Sequence, residues 1–305
     1  MKKCVIIMNP ESGRTKKLDS KKDFYDILRK HDYETEIKYT KKAKDATKIV
    51  QELDDEIDLV ISAGGDGTLN EVVTGNMKRE HKLVIANLPM GTTNDVANMY
   101  GYTRNYQKNL EILLSGVKKN VDVCFIDDKV FVYVACLGDY VDMAYKTPRP
   151  LKKKYGKLAY VMYALKRLGK KINNYDIKYK IDGKEYSGNY SFIFITNATR
   201  IAGVDDIYYD VKLDDNMFEI ALASPKNKAD MLKMAIQVTT RDIKNIPGVT
   251  YYQTDNFEIE FLKKLKTSWC IDGEEHKSNN KKFKFRVDKS MQMLMPKENV
   301  EKLFK

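Results

Sequence analysis

The sequence predicts a two-domain α/β protein: a doubly wound parallel-sheet domain, followed by a mainly antiparallel β-sandwich domain. Three observations support this prediction. Apolar runs alternate with amphipathic helices in the first 120 residues or so, glycine-rich turns follow several of those runs, and the second half consists mostly of short strands separated by turn signals. A chain of 305 residues is also long for one core and fits two domains.

The first half alternates strands with helices, which is typical of a parallel sheet covered on both faces. Apolar and β-branched runs predict its strands, and apolar residues spaced three and four apart predict its helices. The predicted strands are Cys4–Met8, Tyr33–Tyr39, Ile57–Ser62 and Lys82–Leu88. The predicted helices are Lys21–Lys30, Ala43–Leu53, one after each of two glycine-containing loops, and Asn109–Leu114.

The pattern changes near Val121, where short strands and turn signals such as Asp182-Gly183 replace the alternation. The predicted strands are Val121–Ile126 and Lys129–Leu137, which form a hairpin, then Tyr175–Ile181, Tyr190–Thr196, Met217–Ala223, Phe257–Leu262 and Lys282–Val287. Two helical inserts are predicted, Tyr155–Leu168 and Lys228–Thr239. This half therefore reads as an antiparallel sandwich.

Three loops follow strands of the first half, and their residues point to a phosphate ligand. They are Asn9-Pro10-Glu11-Ser12-Gly13, Gly64 to Glu71 and Pro89 to Ala97. Glycines let a ligand approach the backbone, and a helix N-terminus offers N–H groups to an anion. Asp66 would repel a bare phosphate, so it makes most sense beside a magnesium ion or a hydroxyl. Thr68 and Glu71 fit a capping box. Neither the P-loop nor the G-x-G-x-x-G spacing is present.

These loops contain N-P-x-S-G, G-G-D-G-T-x-N-E and G-T-x-N-D in that order. In this combination the chain resembles the diacylglycerol kinase catalytic family, which includes bacterial soluble lipid kinases and the sphingosine kinases. The resemblance extends along nearly the whole chain, because Asp215 and Asp272-Gly273-Glu274 also match. It implies a nucleotide-binding domain over 1–122, to which 297–305 returns, and a lipid-substrate domain over 123–296.

The resemblance also implies the site residues. Those expected to contact ATP are Asn9, Pro10, Glu11, Ser12, Gly13, Thr40, Gly64, Gly65, Asp66, Gly67, Thr68, Asn70, Glu71, Thr92 and Asn94. Asp66 and Asp95 would help to hold the catalytic Mg²⁺, partly through water. The alternative for Asp95 is a helix-start residue stabilised by the helix dipole.

The family's general base falls on Glu274, with Glu275 as the fallback; the unaided sequence favours a solvated strand-entry residue. A second, structural Mg²⁺ is implied at Lys212, Asp215 and Met217. There Asn216 replaces the family's usual glycine, and Asn tolerates a left-handed turn. The alternative is an ordinary acidic turn.

Composition indicates an anionic partner, since the net charge is +11. Residues 149–171 carry nine Lys or Arg and no acidic residue, so we expect this segment to bind an anionic membrane surface, although a charge run is usually a solvated face. No nucleic-acid-reading motif is visible.

The four cysteines lack a C-x-x-C pair and are expected to be buried thiols. We expect a cytoplasmic protein at the inner face of the membrane; its oligomeric state, a homodimer included, stays open.

The leading hypothesis is therefore an ATP-dependent lipid kinase that converts diacylglycerol to phosphatidic acid. Another lipid of the family is an alternative acceptor. NAD kinase shares the G-G-D-G loop, but Thr92-Thr93-Asn94-Asp95 stands where its own segments would follow. The non-enzyme alternative is a basic membrane-binding module on an inactive kinase scaffold.

Overall fold

The computed structural model describes residues 1–15, 21–138, 173–238, 240–298 and 300–305. The chain divides into two compact units. The first comprises 1–123, 213–215 and 288–305, and the second comprises 124–212 and 216–287. The prediction has the chain return to the first domain at 297, whereas the first unit takes in residues from Asp288 onward.

The first unit is built on parallel strands with helices between them. Its strands are β1 (Lys2–Met8), β2 (Tyr33–Tyr39), β3 (Leu59–Gly64) and β4 (Ile85–Pro89), and β5 (Val117–Ile126) leads out of it. Its helices are α1 (Lys22–Lys30), α2 (Asp45–Gln51), α3 (Asp66–Met77), α4 (Asp95–Met99) and α5 (Tyr106–Leu114). A short 3₁₀ helix covers Glu301–Leu303.

The strand order is β2-β1-β3-β4, and each neighbouring pair is parallel. All six residues of β3 and all five of β4 are buried, as expected for strands that are covered on both faces. The doubly wound parallel sheet is thereby confirmed. In this arrangement the loops after β1, β3 and β4 all leave from the carboxyl edge of the sheet, where open α/β sheets bind ligands.

The second unit contains two antiparallel sheets. Its strands are β6 (Lys129–Phe131), β7 (Val134–Gly138), β8 (Tyr175–Ile181), β9 (Lys184–Tyr190), β10 (Phe192–Thr196), β11 (Phe218–Ala223), β12 (Val249–Thr254), β13 (Asn256–Phe261), β14 (Trp269–Ile271), β15 (Glu274–His276) and β16 (Lys282–Met295). Helix α6 covers Lys228–Gln237, and a 3₁₀ helix covers Ile243–Asn245. The last residues of β16 leave the unit, and Met293 and Leu294 pair in parallel with β4.

One sheet runs β16-β13-β8-β9, and the other runs β12-β11-β10-β7-β14-β15. Their inner faces share one core, in which Trp269, Phe257 and Phe285 are completely buried. The Trp269 and Phe285 rings meet edge to face at 5.4 Å between centroids, a favourable aromatic geometry. The predicted sandwich is thereby confirmed.

The predicted single strand Lys129–Leu137 is wrong. The chain breaks at Val132 and Tyr133, so that β6 pairs with β5 in one sheet while β7 pairs with β10 and β14 in the other. The predicted strand Tyr190–Thr196 is likewise split at Ser191, and the strands β9, β12, β14 and β15 were not predicted. β9 and β15 are mostly exposed and polar, and β14 has only three residues, so none of them shows the sustained alternation that identifies a half-buried strand.

The four cysteines are buried and form no disulfide, as predicted. Asn216 has φ 65°, which confirms that the left-handed turn survives without glycine. In the described part of the chain, no helix has the length and apolar character that crossing a bilayer requires. The predicted helix Tyr155–Leu168 and the basic segment 149–171 lie outside the described residues.

Candidate active site

The loop after β3 becomes helix α3 without a side-chain cap. The helix begins at Asp66, with Gly65 in extended conformation as its N-cap. An α-helix leaves its first N–H groups without intrahelical acceptors, and the helix dipole makes that end positive. The twelve residues of α3 make this a full-length helix. Its N-terminus at the carboxyl edge of the sheet is therefore suited to an anion, as the sequence predicted.

The capping box predicted for Thr68 and Glu71 is wrong, because α3 begins two residues before Thr68. Glu71 instead caps another helix: its Oε1 accepts the N–H of Lys44 at 2.8 Å, and its Oε2 accepts that of Ala46 at 3.2 Å. Lys44 is the N-cap of α2 and lies in the left-handed region at φ 70°. Glu71 therefore positions the start of α2 and the chain that leads to it from Thr40.

Asp66 connects the second loop to the third. Its Oδ2 accepts the N–H of Asp95 at 3.0 Å, and its Oδ1 accepts the N–H of Val96 at 3.2 Å. Asp66 thereby caps α4, whose own N-cap Asn94 makes no side-chain cap. The two residues predicted to hold Mg²⁺ are thus brought together through the backbone of Asp95, which is only 2% exposed.

The third loop is fixed by Asn94, a buried residue in the left-handed region at φ 50°. Its Oδ1 accepts the N–H of Gly91 at 3.0 Å, and its Nδ2 donates to the carbonyl of Gly91 at 2.9 Å. The backbone of this loop also donates from Met90 and Gly91 to the carbonyl of Gly64, at 2.7 and 3.0 Å. Asn94 therefore shapes the loop that lies against the second one.

The closest approach between these loops is at Gly91 and Gly65. A Cβ at Gly91 would lie 2.5 Å from the Cα of Gly65 and 2.6 Å from Asn94 Oδ1, closer than carbon atoms can pack. At Gly64 a Cβ would lie 2.3 Å from Thr68 Oγ1. Glycine is required at these positions because the neighbouring atoms leave no space for a side chain. Gly91 was not among the predicted site residues, although its place in a loop after β4 was visible.

The first loop lies against the other two. Asn9 folds it by accepting the N–H of Glu11 on its side chain at 2.9 Å and that of Ser12 on its carbonyl at 3.1 Å. Asn9 Nδ2 also approaches Thr68 Oγ1 at 3.4 Å. A Cβ at Gly13 would lie 3.3 Å from Thr92 Oγ1 of the third loop. The structure therefore brings all three predicted loops together.

The remaining residues of the predicted nucleotide site lie around these loops. Thr40 is buried at the end of β2, and its N–H bonds the carbonyl of Met8. Asn70 accepts the Thr74 hydroxyl at 3.4 Å within α3. Pro10 and Gly67 are half-buried, while Glu11, Gly13 and Thr92 are exposed. Contact of any of these residues with a nucleotide stays a prediction.

One buried carboxylate of the first unit was not predicted. Asp122, in β5, is 4% exposed, and its N–H bonds the carbonyl of Leu213 at 2.7 Å. Burying a carboxylate is costly unless it is paired or coordinated, so such a residue is a candidate for a functional site. The available signal was an aspartate inside the otherwise apolar predicted strand Val121–Ile126.

The second unit contains the predicted base. Glu274 is exposed at the first position of β15, after a turn in which Asp272 and Gly273 have φ 47° and 87°. The neighbouring Glu275 is engaged: its Oε1 accepts the Ser268 hydroxyl at 3.0 Å. In the described part of the chain the Glu274 side chain makes no hydrogen bond, so its carboxylate is the more available of the two.

The predicted structural metal site is not built from clustered acids. Within the residues described, no three His, Cys, Asp or Glu side chains converge as a metal site. Of the predicted set, Met217 is 39% exposed. A metal site made mostly of backbone carbonyls does not need clustered acidic side chains, so Lys212, Asp215 and Met217 remain predicted ligands.

The fold and the three loops define the class of protein. It is an α/β domain whose glycine-rich loops and helix N-terminus form a site at the carboxyl edge of the sheet. Comparison with known proteins then indicates the particular family. Residues 3–126 match the family described as the diacylglycerol kinase catalytic domain. This match confirms the resemblance that the motifs predicted and shows that the first part of the chain is similar to the catalytic domain of these kinases.

Relatives match far beyond this segment. The chain is 29% identical over 308 residues to a diacylglycerol kinase of Bacillus subtilis (strain 168), covering 99% of each chain. It is 28% identical over 274 residues to one from Staphylococcus aureus (strain MRSA252), covering 90% of this chain and 86% of the relative.

A crystal structure of a diacylglycerol kinase from Bacillus anthracis str. Sterne has the same fold. It superposes with a TM-score of 0.77 at 23% identity, covering 96% of this chain and 97% of that one. At this level of identity the similarity concerns the fold alone.

Proposed function

We propose that the protein is an ATP-dependent lipid kinase that transfers the γ-phosphate to the hydroxyl of diacylglycerol and produces phosphatidic acid. One observation carries the proposal: Asp66, at the N-terminus of α3, accepts the N–H groups of Asp95 and Val96, so that two glycine-containing loops are joined at that helix N-terminus. Relatives that match nearly the whole chain are diacylglycerol kinases, which supports the choice of acceptor.

The nucleotide phosphates are proposed to lie at the N-terminus of α3. The amides of Gly65, Gly67 and Thr68 would donate to phosphate oxygens there, and Asn9 would support them from the first loop. Exposed Gly13 and Thr92 leave that side of the loops accessible. This arrangement uses backbone donors and a helix dipole, which suit a polyanion without requiring a lysine.

The donor set at Asp66 and Asp95 fits Mg²⁺, a hard cation that prefers carboxylate, phosphate and water oxygens. Asp66 and Asp95 would hold it, and when bound it neutralises charge that develops on the transferred phosphoryl group. The protein's own residues do the positioning. Asp66 orders the first turn of α4 through its two N–H bonds, and Asn94 fixes the loop that precedes this turn.

Glu274 is proposed as the general base. A lipid hydroxyl is a poor nucleophile, and removal of its proton as the bond to phosphorus forms assists the transfer. The exposed carboxylate of Glu274 is available for that proton, which it would hold on one of its Oε atoms. The neighbouring Glu275 is occupied by Ser268.

The substrate lies in a membrane, so the enzyme has to reach a lipid surface. The basic segment 149–171 is proposed to bring it to the cytoplasmic face by attraction to anionic lipid. Each basic residue near such a surface contributes about 1 kcal/mol. This attachment would be reversible and would weaken with salt.

One experiment tests the proposed reaction. The protein is incubated with γ-labelled ATP, Mg²⁺ and vesicles that contain diacylglycerol, ceramide and a sphingoid base in an anionic phospholipid background. We expect label in phosphatidic acid. Label in another lipid would show that the acceptor is not diacylglycerol. Label in NAD, when NAD is added, would show that the substrate is a nucleotide and not a lipid. No transfer to any acceptor would contradict the proposal.

Two variants test whether the phosphoryl transfer depends on the proposed site. Asp66→Asn is expected to abolish most of the transfer. Asp26→Asn is the matched control, since Asp26 is an exposed carboxylate on α1 of the same unit, and it should retain full activity.

A further inference from the structure

The turn that carries Glu274 is attached to the rest of its sheet by few backbone contacts. Among the residues that the structure describes, β15 is the edge strand and pairs with β14 alone, over three residue pairs. β14 in turn pairs with β7 over two positions, Cys270 with Cys136 and Ile271 with Ala135. Short edge hairpins of this kind are marginally stable unless something else fixes them.

The side chain of Asp272 supplies the missing attachment. Its Oδ2 accepts the N–H of Val132 at 2.6 Å, and its Oδ1 accepts those of Tyr133 and Val134, each at 3.0 Å. Its own N–H donates to the carbonyl of Val134 at 2.9 Å. Asp272 is 4% exposed, and hydrogen bonds between a buried carboxylate and backbone N–H groups are among the stronger ones in proteins.

A second Asp-Gly turn in the same unit shows whether the turn conformation itself requires these backbone hydrogen bonds. Asp182 and Gly183 adopt φ 50° and 78°, nearly the angles of Asp272 and Gly273. They close the hairpin of β8 and β9, which is held by seven residue pairs. Within the described residues, the Asp182 carboxylate accepts the Thr254 hydroxyl at 2.9 Å and takes no backbone N–H. The threefold backbone attachment is therefore not a requirement of an Asp-Gly turn.

We infer that Asp272 is a positioning residue for the phosphoryl transfer: it holds the β14–β15 hairpin on β7 and thereby fixes the backbone of Glu274, two residues further along. This inference rests on the proposed function, because it acts through the proposed base. Displacement of a reacting group by about 1 Å can lower a rate by roughly 10²-fold. Loosening this attachment is expected to act on turnover and not on ATP binding, since the nucleotide loops belong to the first unit.

Asp272→Asn is the sharpest perturbation. If its oxygen remains at the Oδ1 position, the bonds to Tyr133 and Val134 survive, but an NH₂ group replaces Oδ2 and faces the N–H of Val132. Two donors then oppose each other. We expect kcat for the lipid to fall by roughly 10²-fold, with the KM for ATP unchanged. Amide exchange should accelerate at Val132 and in 269–276.

The control is Asp182→Asn, which changes the same residue type in a turn of the same shape. It should retain the kcat of the unmodified protein. Should Asp272→Asn fail to fold, Asp272→Ser replaces it, because a hydroxyl keeps one acceptor without opposing Val132.

A double-variant cycle distinguishes positioning from a general structural effect. If Asp272 acts through Glu274, then adding Asp272→Asn to Glu274→Gln causes little further loss of residual turnover, because effects that share one path are not additive. A double variant slower by the full factor of Asp272→Asn would overturn the inference, as would an Asp272→Asn protein with unchanged kcat. Absence of transfer by the unmodified protein would contradict the proposed function instead.

Discussion

Replacing Gly91 by alanine is expected to separate the two loops that form the predicted phosphate site. The new methyl carbon would lie 2.5 Å from the Cα of Gly65 and 2.6 Å from Asn94 Oδ1. Both obstacles are held in place. Gly65 is the N-cap of a twelve-residue helix, and the Asn94 side chain is hydrogen-bonded to Gly91 itself at both of its polar atoms. The backbone of one loop must therefore move.

The magnitude follows from the nature of the clash. Gly91 is not in the left-handed region, so alanine adds no conformational strain, and the cost is that of overpacking. Overpacking a close-packed site costs about 1–3 kcal/mol. For a domain of about 150 residues, each kcal/mol lowers Tm by roughly 2–4 °C, so we expect a decrease of roughly 2–12 °C. If the shift also removes one phosphate contact worth about 1.5–3 kcal/mol, ATP affinity falls roughly 10- to 100-fold.

The assay combines thermal unfolding, amide exchange of the β3–α3 and β4–α4 segments, and calorimetric titration with ATP. Gly65→Ala is the matched control, because its Cβ would lie 3.5 Å from the Cα of Gly91 and 4.0 Å from Asn94 Oδ1, which are ordinary contacts. It should leave Tm unchanged, while a methyl group where phosphate binds should still weaken ATP binding. Equal Tm values for all three proteins, or equal destabilisation by both substitutions, would refute this account of the loops.

Three further predictions concern chemistry and membrane attachment. Glu274→Gln should lower turnover by about 10²–10⁴-fold with ATP affinity nearly unchanged; near-normal turnover would move the base elsewhere. Asp66→Asn should lower turnover at least as much and raise the Mg²⁺ concentration needed for half-maximal rate, because charge stabilisation usually contributes more to catalysis than proton transfer does; an unchanged Mg²⁺ requirement would contradict a metal role. Charge reversal of Lys152, Lys153 and Lys154 to Glu should reduce sedimentation with anionic vesicles; equal binding of the unmodified protein to neutral vesicles would contradict electrostatic attachment.

The parallel sheet and its loops could be predicted because their signals are local. Buried parallel strands such as β3 and β4 are continuous apolar runs, and each is followed at once by its glycine-rich loop. Because the carboxyl ends of parallel strands lie at one edge of the sheet, the loops are expected to lie close together even when the strand order is unknown. The meeting of Asp66 with Asp95 was expected on these grounds.

The errors arise where distant residues decide local structure. The break between β6 and β7 is set by the carboxylate of Asp272, which lies about 140 positions further along the chain and takes the N–H groups that a continuous strand would use. The capping box predicted at Thr68 is wrong because α3 already begins at Asp66, and Glu71 bonds the start of α2 instead, across 27 positions to Lys44. Neither partner is visible in a window of neighbouring residues.

The carboxylate of Asp66 caps α4 and is also a proposed ligand of Mg²⁺. A carboxylate has about four lone-pair positions. The N–H groups of Asp95 and Val96 each bond one of its two oxygens, and the proposed cation would bind at the same carboxylate. Asp66→Asn therefore replaces one of the two cap acceptors by a donor and also removes the charge from the proposed metal ligand, and loss of turnover alone does not separate the two effects. Amide exchange of α4 in EDTA separates them: the cap is weakened with or without Mg²⁺, so exchange at Asp95 or Val96 should accelerate even in EDTA. Unchanged exchange in EDTA, together with lost turnover, would assign the whole effect to the metal.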